Sequence, residues 1–279
     1  MLPAGPRHGD QVKQPKRPRI LVTDIETAPL ELYGWRIWDE SFSLDQIKED
    51  WTILSFSAKW LGEDKIIYMD TGGRGRRWVR HDRKLMKPLW KLLDEADIVV
   101  AQNGKKFDMR KINARLIAHG FGPPSPYRVI DTMLVSKKYF AFTSQKLAYT
   151  SVYLKLQKQK DEHPEYPGFK LWKAVLQDIP EAWRVMKRYN RQDILATEGV
   201  YLKQRPWIEN HPNLGAYSDE ERPMCPACGS ARMNKDKNRR SVKQQGVYIQ
   251  YRCGDCGHYA RGKTMQLSIA KRRSMLAAP

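Results

Sequence analysis

The chain has no run approaching the roughly 18 consecutive apolar residues of a membrane-spanning helix, and no strongly amphipathic surface helix. Both absences argue against a membrane role. Cysteine is scarce, with four residues, all beyond position 224, so a disulfide framework is excluded for everything before them. Acid is in deficit: 31 Asp and Glu face 50 Lys and Arg, a net charge of +19. Such an excess favours polyanionic partners, and with membranes set aside nucleic acid is the partner class that remains. Charge alone carries neither sequence preference nor a reaction. The loop Gly72-Gly73-Arg74-Gly75-Arg76-Arg77 lacks the GK[ST] ending of a nucleotide-binding P-loop; it reads as a basic loop, as suited to solvation as to touching phosphates. No internal repeat is present.

What is there divides unevenly. From Arg222 onward 13 Lys/Arg stand against two Asp/Glu, whereas most acids lie earlier, so charge already separates two functional units. Residues 1–18 have no apolar core of a secretory signal and read as a disordered, Pro-rich basic arm. The expectation is a cytoplasmic protein. The length allows one sizeable α/β core with a small appended module. Arg19–Ile25, Thr52–Leu61 and Lys65–Met69 read as strands. Leu85–Ala96 spaces its leucines like a helix face, with Pro88 tolerable near its start. Asp97–Ala101 is a short buried strand and Phe107–Ala118 a helix closed by Gly120. Tyr127–Ile130 is a further strand, and helices follow, the last from Glu181 to about Trp207. This order predicts an α/β fold, a mixed sheet flanked by helices, over residues 19–208. A linker at 209–221, a cysteine module at 222–264 and a basic tail at 265–279 complete the layout.

The sharpest chemical signal is Asp24-Ile25-Glu26. On a strand Asp24 and Glu26 share a face while Ile25 points the other way. Two adjacent carboxylates repel unless a proton or cation lies between them, and they are hard ligands suited to Mg²⁺ or Mn²⁺. Alone, such a pair is more often a strand end entering solvent. Asn103-Gly104-Lys105-Lys106-Phe107-Asp108 adds an acid where a helix begins, a place acids favour anyway. Tyr189-Asn190-Arg191-Gln192-Asp193 places Tyr189 and Asp193 one helical turn apart on one face.

In that order the three segments resemble the exonuclease motifs of the DnaQ-like DEDD nucleases, which have an RNase H-like fold. Tyr189, where other members carry histidine, resembles the tyrosine subclass. The stretch from DIETAPLELYGW, Asp131-Thr132 and Gly168-Phe169-Lys170-Leu171-Trp172 are similar to predicted exonucleases of phages and bacteria, which implies the cytoplasm of a bacterium or of a phage-infected host. The resemblance spans Arg19 to Trp207. It implies a 3′–5′ exonuclease using two Mg²⁺ or Mn²⁺ ions on DNA, single-stranded in the first instance, with RNA as the second candidate. Asp24 would bridge the ions, Glu26 and Asp193 would complete the first site, and Asp108 would hold the second through water. Tyr189 would orient the attacking water, because a phenol with a pKa near 10 is a poor base at neutral pH. Asn103 either hydrogen-bonds near the ions or supplies the positive φ of an Asn-Gly turn. Lys146 matches a family position and suits a phosphate contact. Tyr33, Trp35 and Trp38 could stack on an unpaired base, but aromatics at such spacing are read first as core. His163 is outside the motif position of a catalytic histidine and receives no role.

Cys225-Pro-Ala-Cys228-Gly and Cys253-Gly-Asp-Cys256-Gly are two C-x-x-C-G knuckles separated by 24 residues. Each turn presents two thiolates, and together they predict a zinc ribbon with one structural Zn²⁺. Arg239, Arg240, Tyr248 and Tyr251 are its candidate nucleic-acid contacts; docking to a replication or repair protein is the alternative. Two rivals to the exonuclease remain. An RNase H-like endonuclease of the RuvC-like kind also combines acids with a zinc ribbon, but its ribbon typically precedes the last acid. A non-catalytic nucleic-acid-binding module would not need all four carboxylates.

Overall fold

The computed structural model describes residues 17–38, 41–157, 163–243 and 246–276. The expected disordered arm lies, apart from its last two residues, outside them. The chain forms two compact units, one of Arg19–Asn210 and one containing the residues from His211 on. Among the described residues, no helix is long and apolar enough to cross a membrane.

The first unit contains β1 (Ile20–Thr27), β2 (Glu31–Leu32), β3 (Ile47–Glu49), β4 (Ile53–Trp60), β5 (Ile66–Asp70), α1 (Arg83–Asp94), β6 (Ile98–Ala101), α2 (Asp108–Ala118), β7 (Arg128–Asp131), α3 (Thr132–Tyr139), α4 (Leu147–Tyr153), α5 (Lys170–Leu176) and α6 (Pro180–Gln204). Five strands form one sheet in the order β5-β4-β1-β6-β7. Central β1 is antiparallel to β4 and parallel to β6. Helices cover the sheet, so β6 (Ile98–Ala101) is a continuous apolar run, and β4 is buried along its whole length although Ser55, Ser57 and Lys59 alternate with its apolar residues. Leu21 and Ile25 enter a core built with α1 and α2, which supply Leu85, Leu89, Ile112 and Leu116. A second core joins Leu54 to Leu171, Val175, Val185 and Met186 of α5 and α6.

Local chemistry explains the helix ends. α2 stops at a Schellman motif: Gly120, with φ 79°, donates to Ile117 O, and Phe121 donates to Leu116 O. α6 starts with Pro180 at its first position, where the missing N–H costs nothing. Pro88 lies inside α1, in its second turn and deeper than the sequence suggests.

Asp82, fully buried at the start of α1, ties three elements together. It accepts the Ile53 N–H at 3.1 Å, Arg115 Nε and Nη2 at 2.7 and 2.8 Å, and pairs with His119 Nε2 at 2.7 Å. Burial by itself would raise its pKa. The bonds from Arg115, Ile53 and His119 more than reverse this and hold it below the ordinary carboxylate value. A lowered folded-state pKa means the stabilisation is complete above the unfolded value and is lost as pH falls through the folded one. Asp82→Ala is expected to cost about 3 kcal/mol at pH 7, the low end for a broken buried pair because Arg115 keeps some solvent contact. Urea unfolding at pH 7 and pH 3 tests this: the gap between wild type and variant should shrink in acid. A loss below about 1 kcal/mol at pH 7 would show that the network does not hold these elements together.

The second unit carries β8 (Met233–Lys243), β9 (Gly246–Cys253) and β10 (Tyr259–Met265) in one antiparallel sheet, then α7 (Ile269–Arg273). Leu214–Tyr217, in the stretch read as linker, forms a 3-10 turn whose Leu214 N–H bonds to Pro226 O.

Candidate metal-binding active site

β1 presents Asp24 and Glu26 on the face opposite to Ile25. Their cross-strand partners on β4 are Ser57 and Ser55, small residues that leave room above the strand. α6 packs on β1 and β4 and brings in Asp193. Carboxylate oxygens of Asp24, Glu26 and Asp193 all lie within 4.8 Å of one another. Unit charges about 4 Å apart repel by roughly 4 kcal/mol per pair at an effective dielectric of 20. Hard oxygen donors at this spacing fit a divalent cation of the Mg²⁺ or Mn²⁺ type.

The trio is held by Tyr189 and by a neighbour the sequence did not single out, Asn190. Buried Asn190 donates its Nδ2 to Asp24 Oδ2 at 2.6 Å, and its Oδ1 faces the Ser55 hydroxyl at 3.4 Å. Tyr189, one turn before Asp193, hydrogen-bonds to it. Burial first, then the charges of Glu26, Asp193 and Asp24, push its phenol far above its usual range. Tyr189 therefore stays protonated. Its ring is packed edge-on by His163, at 5.0 Å between centroids, and by Trp172 at 6.1 Å. His163 thus supports Tyr189 from behind, a placement no sequence spacing announces.

Asp108 stands apart from the trio. It is almost fully buried and its Oδ1 accepts the Ile25 N–H at 3.1 Å, directly between Asp24 and Glu26 along the strand. β6 pairs with β1 only as far as Val22, so this bond lies beyond the end of the parallel ladder. Burial raises the Asp108 pKa to about 7.

A cleft of about 490 Å³ opens over these groups, lined by Asp24, Glu26, Tyr189 and Asp193 and also by Asn103, Lys146 and Lys137. Asn103 has φ 60°, and Asn103 and Lys105 donate their N–H groups to Asp131, whose Oδ1 also caps α3. The turn role expected for Asn103 is therefore present. A side chain on the next residue, Gly104, would meet Ala101 Cβ at 2.4 Å. The Asn103 side-chain oxygen is buried beside the cleft without a hydrogen-bond partner. Lys137, one turn after Met133 on α3, was invisible as a site residue because α3 reads as an ordinary helix. Tyr33, Trp35 and Trp38 are exposed, so the expectation that they belong to the core is corrected. They lie on the connection between β2 and β3, which leaves the sheet.

The second unit has its own candidate centre. Sγ atoms of Cys225, Cys228, Cys253 and Cys256 also lie within 4.8 Å of one another. Cys225–Cys256 and Cys228–Cys253 are 3.7 and 3.6 Å apart, too far for disulfides. Metal–sulfur bonds of about 2.3 Å in a tetrahedron require roughly this separation. The two knuckles have the same hydrogen bonds: Gly229 N–H to Cys225 O and Gly257 N–H to Cys253 O, with φ 71° and 78°. Burial pushes the Cys225 thiol up, and Cys228 up to about 11. Burial also opposes ionisation of Cys253, but N–H donors of Cys256 and Asp255 bring it down to about 7. Arg239 and Arg240 are exposed on β8. Tyr248 and Tyr251, an odd number of residues apart on β9, face opposite sides of the sheet, so they do not form one stacking surface. Arg261 covers the Tyr248 ring at 4.4 Å.

Residues 66–204 match the model of the RNase_H superfamily domain designated RNase_H_2. The fold is RNase H-like. The match begins at β5, so Asp24 and Glu26 on β1 lie outside the matched segment, whereas Asp108 on α2 and Tyr189 and Asp193 on α6 lie within it. No curated protein matches the chain. Among solved structures, the family B DNA polymerase from the hyperthermophilic archaeon Pyrobaculum calidifontis is similar with a TM-score of 0.49 and 17% identity. The similarity covers 68% of this chain and 25% of the polymerase; the chain spans about a quarter of that protein's length.

Proposed function

We propose that this protein is a divalent-metal-dependent 3′–5′ exonuclease of the DEDD type, tyrosine subclass, acting on single-stranded DNA, with RNA as the second candidate substrate. The observation that carries this reading is the meeting of Asp24, Glu26 and Asp193 beneath Tyr189 in one cleft of an RNase H-like unit. Asp24, Glu26 and Asp193 would hold the ions directly, and the buried Asp108 would act through an intervening water. Bound there, a pair of Mg²⁺ or Mn²⁺ ions supplies water activation and charge neutralisation at the leaving oxygen. Asn190 fixes Asp24 in one orientation. Lys137 and Lys146 line the cleft where the substrate's phosphates would enter and offset its negative charge. Tyr189, in its protonated form, donates a hydrogen bond without giving up its proton, and so orients the reacting groups.

Two results follow. Oligonucleotides labelled at the 3′ or the 5′ end should release mononucleotides from the 3′ end in Mg²⁺ or Mn²⁺, and EDTA should stop release. Degradation that persists in EDTA contradicts the assignment, and cutting of a closed single-stranded circle favours an RNase H-like endonuclease instead. Tyr189→Phe should slow cleavage about 10-fold to 100-fold with an unchanged pH profile, the effect of lost positioning rather than of a lost base. Disappearance of a limb of the pH–rate curve would assign Tyr189 a proton-transfer role.

We also propose that the four cysteines hold one structural Zn²⁺, making the second unit a zinc ribbon. Its 13 Lys/Arg from Arg222 onward support nucleic-acid contact by Arg239 and Arg240 over docking to a replication or repair protein.

A further inference from the structure

Two features outside the carboxylate cleft meet at one place. The first is the excursion between β2 and β3, whose Tyr33, Trp35 and Trp38 are 64%, 94% and 79% exposed. The two ends of this excursion are joined by bonds: Tyr33 N–H to Gln46 O, Gln46 Nε2 to Tyr33 O, and a capping box at Ser43. Its base is fixed by Arg80, which donates to Pro29 O and Asp50 O and pairs with Glu31. Large aromatics cost free energy in water, and three of them displayed together within six residues suit a partner that covers them.

The second feature is a cleft of about 960 Å³ at that base, running from Pro29–Glu31 and Lys48–Thr52 to Arg76, Arg77, Phe169 and Lys173. Six Lys/Arg and three Asp/Glu line it. Glu31 engages Arg80 and Lys48, and Asp82 engages Arg115. Arg76, Arg77 and Lys173 are exposed and form no ion pair among the described residues. The loop bearing the two arginines is held in place: Asp178 accepts the N–H groups of Gly73 and Gly75 at 2.9 and 2.6 Å, and Trp183 Nε1 at 2.7 Å. A basic loop serving only as a solvated connection needs no such anchor. Arg77 lies over the Trp78 ring and Lys173 over the Phe169 ring, and preorganised cations without ion-pair partners suit a ligand that brings its own negative charge. Trp51 and Phe169 add apolar surface to the wall.

A positively charged groove with aromatic platforms beside it is the chemistry that binds unpaired nucleic acid: cations track the phosphates while rings stack on bases. Pro29 is three residues beyond Glu26, so at most about 11 Å of chain separates the cleft's edge from the carboxylates. That distance corresponds to a few nucleotides of one strand. We propose that Tyr33, Trp35 and Trp38 and the basic cleft form a second nucleic-acid site, for unpaired nucleotides a few positions from the strand end that occupies the carboxylate cleft. Trp35 and Trp38 stack on bases; Arg76, Arg77 and Lys173 neutralise phosphates. The placement of the strand end rests on the nuclease reading, whereas single-strand binding at this second site does not.

The test uses the full chain in EDTA, with fluorescence anisotropy of labelled 12-nucleotide single strands of DNA and RNA and of a duplex of the same length. Trp35→Ala/Trp38→Ala should weaken single-strand binding by about 5-fold to 150-fold per stacked base, for DNA and RNA alike, and change duplex binding less than about twofold. Trp35→Phe/Trp38→Phe should recover most of the loss. Arg76→Gln/Arg77→Gln/Lys173→Gln should reduce the slope of log affinity against log salt by about 2, from roughly 0.7 per neutralised phosphate. All the substituted side chains are exposed, and matched thermal unfolding checks that the fold is kept. Single-strand affinity and salt slope within error of wild type, or an equal loss on duplex, would overturn the proposal. Wild-type cleavage in Mg²⁺ is scored separately. Absent cleavage with these binding losses intact sinks the nuclease reading alone; normal cleavage with unchanged binding sinks the second site alone.

Discussion

Asp24→Ala and Asp193→Ala are each expected to lower nucleic-acid cleavage by at least about 1,000-fold while changing strand binding only a few fold. The magnitude follows from the chemistry these oxygens serve: loss of a bound ion removes several kcal/mol of transition-state stabilisation, and each 1.36 kcal/mol is a factor of ten. Binding is expected to be spared because the proposed phosphate contacts are cations elsewhere, and removal of a carboxylate would relieve repulsion with a phosphate. The same repulsion predicts an effect on stability in the opposite direction. Three carboxylates within 4.8 Å strain the metal-free fold, so taking one away should raise the melting temperature in EDTA. Most core or polar substitutions do the reverse, which makes the combination diagnostic. A variant that melts earlier and cleaves poorly would show that the acid served the fold. Normal turnover by Asp24→Ala would refute the site. Asn190→Ala gives a graded companion: by loosening Asp24 it should raise the Mg²⁺ concentration for half-maximal rate about 10-fold to 100-fold and leave the rate at saturating Mg²⁺ closer to wild type.

How much of this was legible beforehand depends on whether the physics was local. The pairing of Asp24 with Glu26 and of Tyr189 with Asp193 could be read because strand and helix periodicity fix which side chains share a face. The five strands of the main sheet and the helices α1, α2 and α6 were visible through their apolar patterns, and the cysteine knuckles through their spacing, whereas β2, β3 and the bounds of α3 to α5 were not. Asn190 was not, since its bond to Asp24 spans 166 residues of sequence and a buried amide on a helix has no pattern of its own. Asp108 matched a motif, yet its bond to Ile25 depends on where β6 stops pairing with β1. Tyr33, Trp35 and Trp38 were misread because hydrophobicity was taken as a proxy for burial, and it fails where a segment leaves the sheet. β8 escaped notice for a related reason: Met233–Lys243 is almost entirely polar, and its pairing with β9 rather than any alternation makes it a strand.

That polar sheet motivates the second large expectation. Cys225→Ser, or withdrawal of the proposed zinc by a strong chelator, should unfold the residues from His211 on while Arg19–Asn210 remains folded. Among the described residues of the second unit, the buried apolar ones are Leu214, Cys225, Ala227 and Cys253, far too few to offset the ordering of its chain. β8 and β10 contribute no fully buried side chain. Metal binding by four thiolates is worth about 10–16 kcal/mol in comparable small modules, enough to supply what the core lacks. Hydrogen exchange should therefore show protection of Gly246–Cys253 collapsing on chelation, with α1, β4 and α6 unaffected. All four thiols, poorly reactive before, should become titratable together. Retained protection of β9 in the Cys225→Ser protein would mean that the sheet stands without the metal. If the module also carries nucleic acid, as its charge suggests, chelation should weaken strand binding and flatten its salt dependence at the same metal-loss midpoint. Unfolding without that change would leave the ribbon a role in protein docking.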